Sequence, residues 1–266
     1  MKKWTTRALR NLKSNDTIVD TISMLTCYDF QTAQILNDSN VDLILVGDSL
    51  GNVILGYENT VSVTVSDMIT FGSAVKRGAP NKFTVVDMPF GSYATQMHAI
   101  ENGINIFQQT KCEALKLEGA SEEIITSIQK LTSSGVPIMG HIGLIPQSVH
   151  QLGGYYTHGK TEDEADKLIK QAKDLEQAGV FSIVLECITE EIARKIEESI
   201  SIPTIGIGSG SYTTGQVLVL NDLLGMGKNK VPSFCKPVSN LYGTKLQLVE
   251  NYVNSIKARK LDELDH

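Results

Sequence analysis

Aromatic side chains are scarce in this 266-residue chain, at 6% with a single tryptophan, and prolines number only seven. No apolar run approaches the ~20 residues that cross a bilayer; runs such as Leu43–Val46 are the length of a β-strand. The four cysteines, Cys27, Cys112, Cys187 and Cys235, lack C-x-x-C or C-x-x-H spacing, so no zinc or dithiol motif is written. In a core-rich chain they are expected as reduced thiols. Basic excess is also missing. Twenty-four Lys and Arg face thirty Asp and Glu, a net charge of −6, which argues against a nucleic-acid or membrane-surface partner. The basic start Met1-Lys2-Lys3 runs into Thr5, Thr6 and Arg7 without an apolar stretch, so no secretory signal is expected. These absences leave small-molecule chemistry in the cytoplasm as the expectation.

What is present is a 41% hydrophobic composition, too apolar for a disordered chain, and 22 glycines. Eight short apolar runs recur: 22–26, 43–46, 83–86, 114–117, 137–139, 182–185, 203–207 and 216–220. Each ends in glycine or polar residues. Amphipathic stretches separate them. Thr161 to Ala178 opens as a capping box on Thr161 and Glu164 and stops at Gly179, and Ser121 to Ser134 stops at Gly135. Continuous apolar strands alternating with helices predict a parallel sheet covered on both faces. Eight of them in this length predict an α/β fold, a (β/α)8 TIM barrel in one domain over 1–266, with an open doubly wound sheet as the rival. Arg10 to Asp20 reads as a polar lead-in. Val238 to Arg259 reads as a helical tail that packs on the barrel or a neighbouring subunit.

Active sites of such barrels lie at the carboxyl ends of the strands. Those ends carry Asp29, Asp48, Ser49, Asp87, Glu118, His141 and Glu186. Lys116 lies two residues before Glu118, so both side chains share one face, the barrel interior. Charges there are costly unless paired or metal-bound. Asp48 or Asp87 alone would read as a helix cap; with Glu118 they form three carboxylates on consecutive strands, a set suited to a hard divalent cation. Lys116 is placed to meet a developing oxyanion, and Glu186, ending an apolar run, to act as a general base. His141 is expected to contact substrate. The glycine-rich pieces 47–51 and 206–210 fit neither a P-loop nor a complete G-x-G-x-x-G.

Six blocks, VDLILVGDSLGNVILGY (41–57), KRGAPNKFTVVDMPFGSY (76–93), ALKLEG (114–119), MGHIGLIPQSVHQLGGY (139–155), VLECI (184–188) and IPTIGIGSG (202–210), carry a further signal. In this order they resemble the 3-methyl-2-oxobutanoate (ketopantoate) hydroxymethyltransferase family of the phosphoenolpyruvate mutase/isocitrate lyase superfamily. The resemblance implies a (β/α)8 barrel, a homodecamer, and Mg²⁺ linked to Asp48, Asp87 and Glu118. It implies ketoacid contacts at Asp48, Ser49, Asp87 and Lys116, and a base at Glu186. The implied reaction joins 5,10-methylenetetrahydrofolate, water and 3-methyl-2-oxobutanoate to give tetrahydrofolate and 2-dehydropantoate. The chain departs from the family's G-P-Y-C-D-G-Q with Gly210-Ser211-Tyr212-Thr213-Thr214-Gly215-Gln216, at Ile145, and at Pro237 and Ser239. The weighed alternatives are a Mg-dependent C–C lyase or phosphonomutase of the same superfamily, whose K-K-C-G-H-type loop is absent, and a barrel that only binds a ketoacid.

Overall fold

Eight parallel strands pair in sequence order and close on themselves. They are β1 (Ile22–Thr26), β2 (Leu43–Val46), β3 (Phe83–Asp87), β4 (Ala114–Lys116), β5 (Ile138–Gly143), β6 (Ser182–Glu186), β7 (Thr204–Ile207) and β8 (Gly215–Leu218). The closing pair runs from Ile22 opposite Gly215 to Leu25 opposite Leu218. The structure, a computed structural model, describes residues 4–14, 21–148, 154, 156–228 and 230–258. The expected barrel is therefore formed, and the open sheet is excluded. Among the described residues no helix is long and apolar enough to cross a membrane.

Two strands differ from the sequence reading by more than one residue at an end. β5 does not stop at Met139: Gly140 through Gly143 stay in the ladder with β6, opposite Ile183 through Glu186. β8 starts at Gly215 and ends at Leu218, and Leu220–Leu223 is a helical turn instead of strand. At Gly143 the backbone has φ +98, and a Cβ there would sit 2.2 Å from the Glu186 carbonyl oxygen. Only glycine lets β5 run this close to β6 beside Glu186.

Parallel strands buried on both faces need covering helices, and local chemistry sets where these begin. Thr64 and Asp67 form a reciprocal capping box on Val65–Gly78. The box expected on Glu162–Gln177 is only half made. Thr161 accepts from the Glu164 amide at 3.3 Å, but the Glu164 carboxylate accepts instead from the Lys160 amide and His158 Nδ1, both at 3.0 Å. That helix and Glu122–Ser133 end just before Gly179 and Gly135, as expected.

The strand interior is filled by alternate residues: Ile22 and Met24, Leu43 and Leu45, Phe83 and Val85, Ala114, Met139, Val184, Ile205 and Val217. Trp4 and Leu9 complete this core, with Ala8 and Leu12 packed against it. An apolar plug thus precedes the polar lead-in expected from Arg10 and overlaps it at Leu12, carried by the helix Thr6–Arg10 and the 3-10 turn Asn11–Ser14. Burying two such side chains contributes about 2–3 kcal/mol each. Trp4 Nε1 donates to Asp42 Oδ1 at 2.9 Å, so its polar edge is also satisfied. Residues 15–20 of the expected lead-in lie outside the described residues.

The chain divides into two compact units, 1–218 with the barrel and 219–266. In the second, Leu241–Lys257 is a helix capped by Asn240, which accepts from the Gly243 amide at 2.9 Å. This cap moves its start from the expected Val238; the expected end, Arg259, lies outside the described residues. Its leading residues bond back to the Leu220–Leu223 turn region, with the Leu241 and Tyr242 amides donating to Leu224 and Gly225 carbonyls.

Candidate active site

The same alternation that aims Leu45, Val85, Ala114, Met139 and Val184 inward continues upward to Gly47, Asp87, Lys116, His141 and Glu186. Charge therefore collects at one end of the interior. Asp48 joins it from the turn after β2, where glycine at 47 leaves room: a Cβ there would stand 2.9 Å from Ser49 Oγ and 3.5 Å from Asp87 Oδ2. Asp48, Asp87 and Glu118 are all buried and offer oxygens within 4.8 Å of one another. Asp87 Oδ2 accepts from the Asp48 amide at 3.0 Å. Its Oδ1 is buried with no hydrogen-bond partner. An orphaned carboxylate oxygen inside a three-acid cluster is the donor set a hard divalent cation takes, so the residues fit the expected Mg²⁺. Capping does not explain the cluster. The turn Leu50–Val53 has Ser49 at its N-cap position, and Glu190–Ser199 has Thr189. Asp29 alone among the strand-end acids is a cap, accepting from the Thr32 amide at 2.8 Å.

Lys116 balances this charge. Its Nζ lies 3.0 Å from Glu118 Oε1, 3.1 Å from His141 Nδ1 and 3.4 Å from Asp87 Oδ2. An ammonium only donates, so Nδ1 of His141 carries a lone pair and Nε2–H donates to the Leu144 carbonyl at 2.8 Å. Burial, reinforced by Lys116, lowers the His141 pKa to about 4. His141 is thus neutral and its approaches to Glu118 and Glu186 are not ion pairs. The ring is buried, and its two nitrogens meet Lys116 and the Leu144 carbonyl, so that His141 props Lys116.

The acids differ in proton affinity. Burial, then Glu118 and Asp87, push Asp48 well above the usual carboxylate range. Burial lifts Asp87 to about 6 against the pull of Lys116. Burial pulls Glu118 upward, but the surrounding charges and hydrogen bonds, Lys116 foremost, together outweigh it and hold Glu118 below its ordinary value. Glu186 is pushed up to about 8 by burial with Glu118 adding, while 16% of its side-chain surface stays open to an incoming molecule.

Three uncharged side chains complete the site without having been marked in the sequence. Tyr28 is buried, and its hydroxyl lies 2.8 Å from Ser49 Oγ. Gln147, in the 3-10 turn Pro146–Ser148, donates from Nε2 to Asp48 Oδ2 at 2.8 Å and accepts from the Tyr93 hydroxyl at 2.5 Å. The segment after it, 149–153 with Tyr155, lies outside the described residues, as does that part of the block 139–155.

A raised carboxyl pKa has a sign for stability. Between the ordinary value near 4 and the raised values of Asp87 and Glu186, about 6 and about 8, the folded chain binds more protons than the unfolded one. Stability therefore falls as pH rises through this window in the metal-free protein. A cation binding the ionised acids offsets that loss and binds better at high pH. Mg²⁺ at a hundred times its Kd is expected to add about 2.7 kcal/mol, or about 5–10 °C for a chain of this size, at pH 8, and far less at pH 5. Thermal melts with Mg²⁺ or with EDTA at both pH values check this; equal shifts would contradict it.

A profile of the ketopantoate hydroxymethyltransferase family matches residues 3–263. The 3-methyl-2-oxobutanoate hydroxymethyltransferase of Syntrophomonas wolfei is 45% identical over 256 residues, 96% of this chain and 92% of that protein. Its counterpart in Thermotoga maritima is 47% identical over 249 residues, 94% and 90%. Among solved structures, 2,3-dimethylmalate lyase, a PEP mutase/isocitrate lyase superfamily member, aligns with a TM-score of 0.63 over 98% of this chain and 85% of that one. At 14% identity that likeness shows the barrel fold alone.

Proposed function

The chain belongs to the ketopantoate hydroxymethyltransferase family, and we propose on that footing that it transfers a hydroxymethyl group from 5,10-methylenetetrahydrofolate to 3-methyl-2-oxobutanoate, giving 2-dehydropantoate for pantothenate synthesis. One observation carries the mechanism. Glu186, whose proton affinity is raised to about 8, shares the barrel interior with three buried carboxylates and Lys116. Identity of 45% and 47% to hydroxymethyltransferases favours this reading over the lyase alternative.

Asp48, Asp87 and Glu118 would hold Mg²⁺, which when bound supplies chelation of the ketoacid and polarisation of its keto group. Ser49, its hydroxyl set by Tyr28, donates to the ketoacid carboxylate. Glu186 takes the proton from C3. Lys116 exchanges its longest contact, the 3.4 Å approach to Asp87, for the oxygen on which negative charge develops. Carbon C3 then bonds to the one-carbon unit, and both bonds from that unit to the folate nitrogens break. Water supplies the hydroxyl oxygen; its two hydrogens and the C3 proton end on the two nitrogens and the new hydroxyl. Folate carries the one-carbon chemistry, and the protein places charge and proton acceptor around it.

The test follows the C3 hydrogen by NMR in D₂O with Mg²⁺ and no folate, then adds 5,10-methylenetetrahydrofolate and measures 2-dehydropantoate. Exchange followed by product is the expected result. Exchange without product would return the assignment to a lyase-like relative, and absence of both would leave a ketoacid-binding barrel. The homodecamer is proposed from the family resemblance, and sedimentation of the purified chain checks it.

A further inference from the structure

Gln147 makes more of its side chain than any other neutral group at the site. It is buried, and its Nε2 donates both to Asp48 Oδ2 at 2.8 Å and to the Met88 carbonyl at 3.0 Å. Its Oε1 accepts from the Tyr93 hydroxyl at 2.5 Å, and its backbone N–H donates to Glu118 Oε2 at 3.4 Å. This pattern fixes the orientation of the amide. Flipped, its oxygen would face a carboxylate and a carbonyl, while its NH₂ would face the Tyr93 hydroxyl. Gln147, in the turn after β5, thus bonds residues that follow β2, β3 and β4: its carboxamide bonds Asp48 and Met88, and its backbone N–H bonds Glu118. Two of these three are members of the acidic triad, and Asp48 is 99 positions away in sequence.

We infer that Gln147 is a positioning residue that sets the divalent-cation affinity of Asp48, Asp87 and Glu118, with Tyr93 locking its amide. The inference rests on the cation reading of the triad. By bonding one oxygen of Asp48 and approaching one of Glu118, Gln147 restricts how both carboxylates rotate, so a cation meets acids already oriented. Groups that orient metal ligands in this way typically change metal affinity 10–100-fold when removed. Tyr93 meets the triad only at the Glu118 backbone and bonds none of its carboxylates among the hydrogen bonds described, so it acts on them through the amide.

The experiment measures Mn²⁺ binding by electron paramagnetic resonance to the metal-free full-length protein and to Gln147→Leu, Tyr93→Phe and the double variant. Folding of each is checked by circular dichroism. The expected result is a dissociation constant raised about 10–100-fold in Gln147→Leu and by less in Tyr93→Phe. The double variant should match Gln147→Leu, because a group acting through another adds nothing once that other is gone. In turnover, Gln147→Leu should show a raised Mg²⁺ requirement with kcat restored at saturating Mg²⁺, a split that general loss of packing would not give. If Gln147→Leu does not fold, Tyr93→Phe alone decides, and unchanged Mn²⁺ affinity in it overturns the inference. Wild-type binding with equal binding by Gln147→Leu overturns the role of Gln147 while leaving the cation reading intact. Fully additive effects overturn the Tyr93 lock. Absence of Mn²⁺ binding by the wild type overturns both the cation reading and the inference built on it.

Discussion

Replacing Glu186 by glutamine is expected to lower C3 exchange of 3-methyl-2-oxobutanoate, and with it hydroxymethyl transfer, by about 10²–10⁴-fold, the contribution of a positioned general base. The substitution keeps size and shape, and the neighbouring His141 Nε2 donates to the Leu144 carbonyl, so the fold and the His141 tautomer are retained. Mn²⁺ affinity should change little, since Glu186 is not among the three clustered acids. Its pH signature follows from burial. The carboxyl, pushed up to about 8, acts only when deprotonated, so wild-type exchange rises with pH toward that region. A bound cation favours the ionised form and moves this limb to lower pH. In Glu186→Gln the limb should vanish. Exchange within tenfold of wild type, with the limb in place, would remove Glu186 from the role of base.

Lys116→Met is expected to be the most damaging change to the metal-free protein. The lysine is buried among Glu118, Asp87 and His141, and breaking a buried pair by removing one partner costs about 3–5 kcal/mol. The acids left behind respond by holding protons, so the loss is smaller at pH 5 and grows toward pH 8. A divalent cation replaces part of the missing positive charge. Mg²⁺ should therefore raise the Tm of Lys116→Met by more than it raises that of the wild type at pH 8. Activity should nevertheless stay about 10²-fold down even at saturating Mg²⁺, as for loss of an oxyanion partner. Melting curves and turnover across Mg²⁺ concentrations check both halves. A variant as stable as wild type without metal at pH 8 would refute the charge-balancing role.

The barrel was legible because its strands are short unbroken apolar runs, and a charge at the end of such a run is hard to explain by packing. That is why Asp48, Asp87, Lys116, Glu118 and Glu186 could be singled out before any geometry. Composition misleads where the ladder outlasts apolar character. Gly140-His141-Ile142-Gly143 reads as a loop, yet its backbone pairs with β6 through to Glu186. That pairing leaves His141 inside the barrel, where Lys116 and the Leu144 carbonyl claim both nitrogens. Trp4 and Leu9 were hidden for the opposite reason: with Ala8 and Leu12 they form only a short apolar stripe in a polar stretch, too brief to mark as core. Gln147, Tyr93 and Tyr28 carry no charge, and their significance exists only once distant segments meet.

The order of the strands divides the labour of the site along the chain. Asp48, Asp87, Lys116 and Glu118 all come from β2 through β4 and the turns that follow them, before residue 120. Glu186, the proposed proton acceptor, arrives with β6 in the other half. The first half-barrel thus holds the acids and the lysine, and the second holds the proposed proton acceptor together with His141 and Gln147, which brace the first half's charges. A change confined to Glu186 can therefore alter the chemistry while the acids stay in place, whereas changes in and after β5 reach back to them through His141 and Gln147.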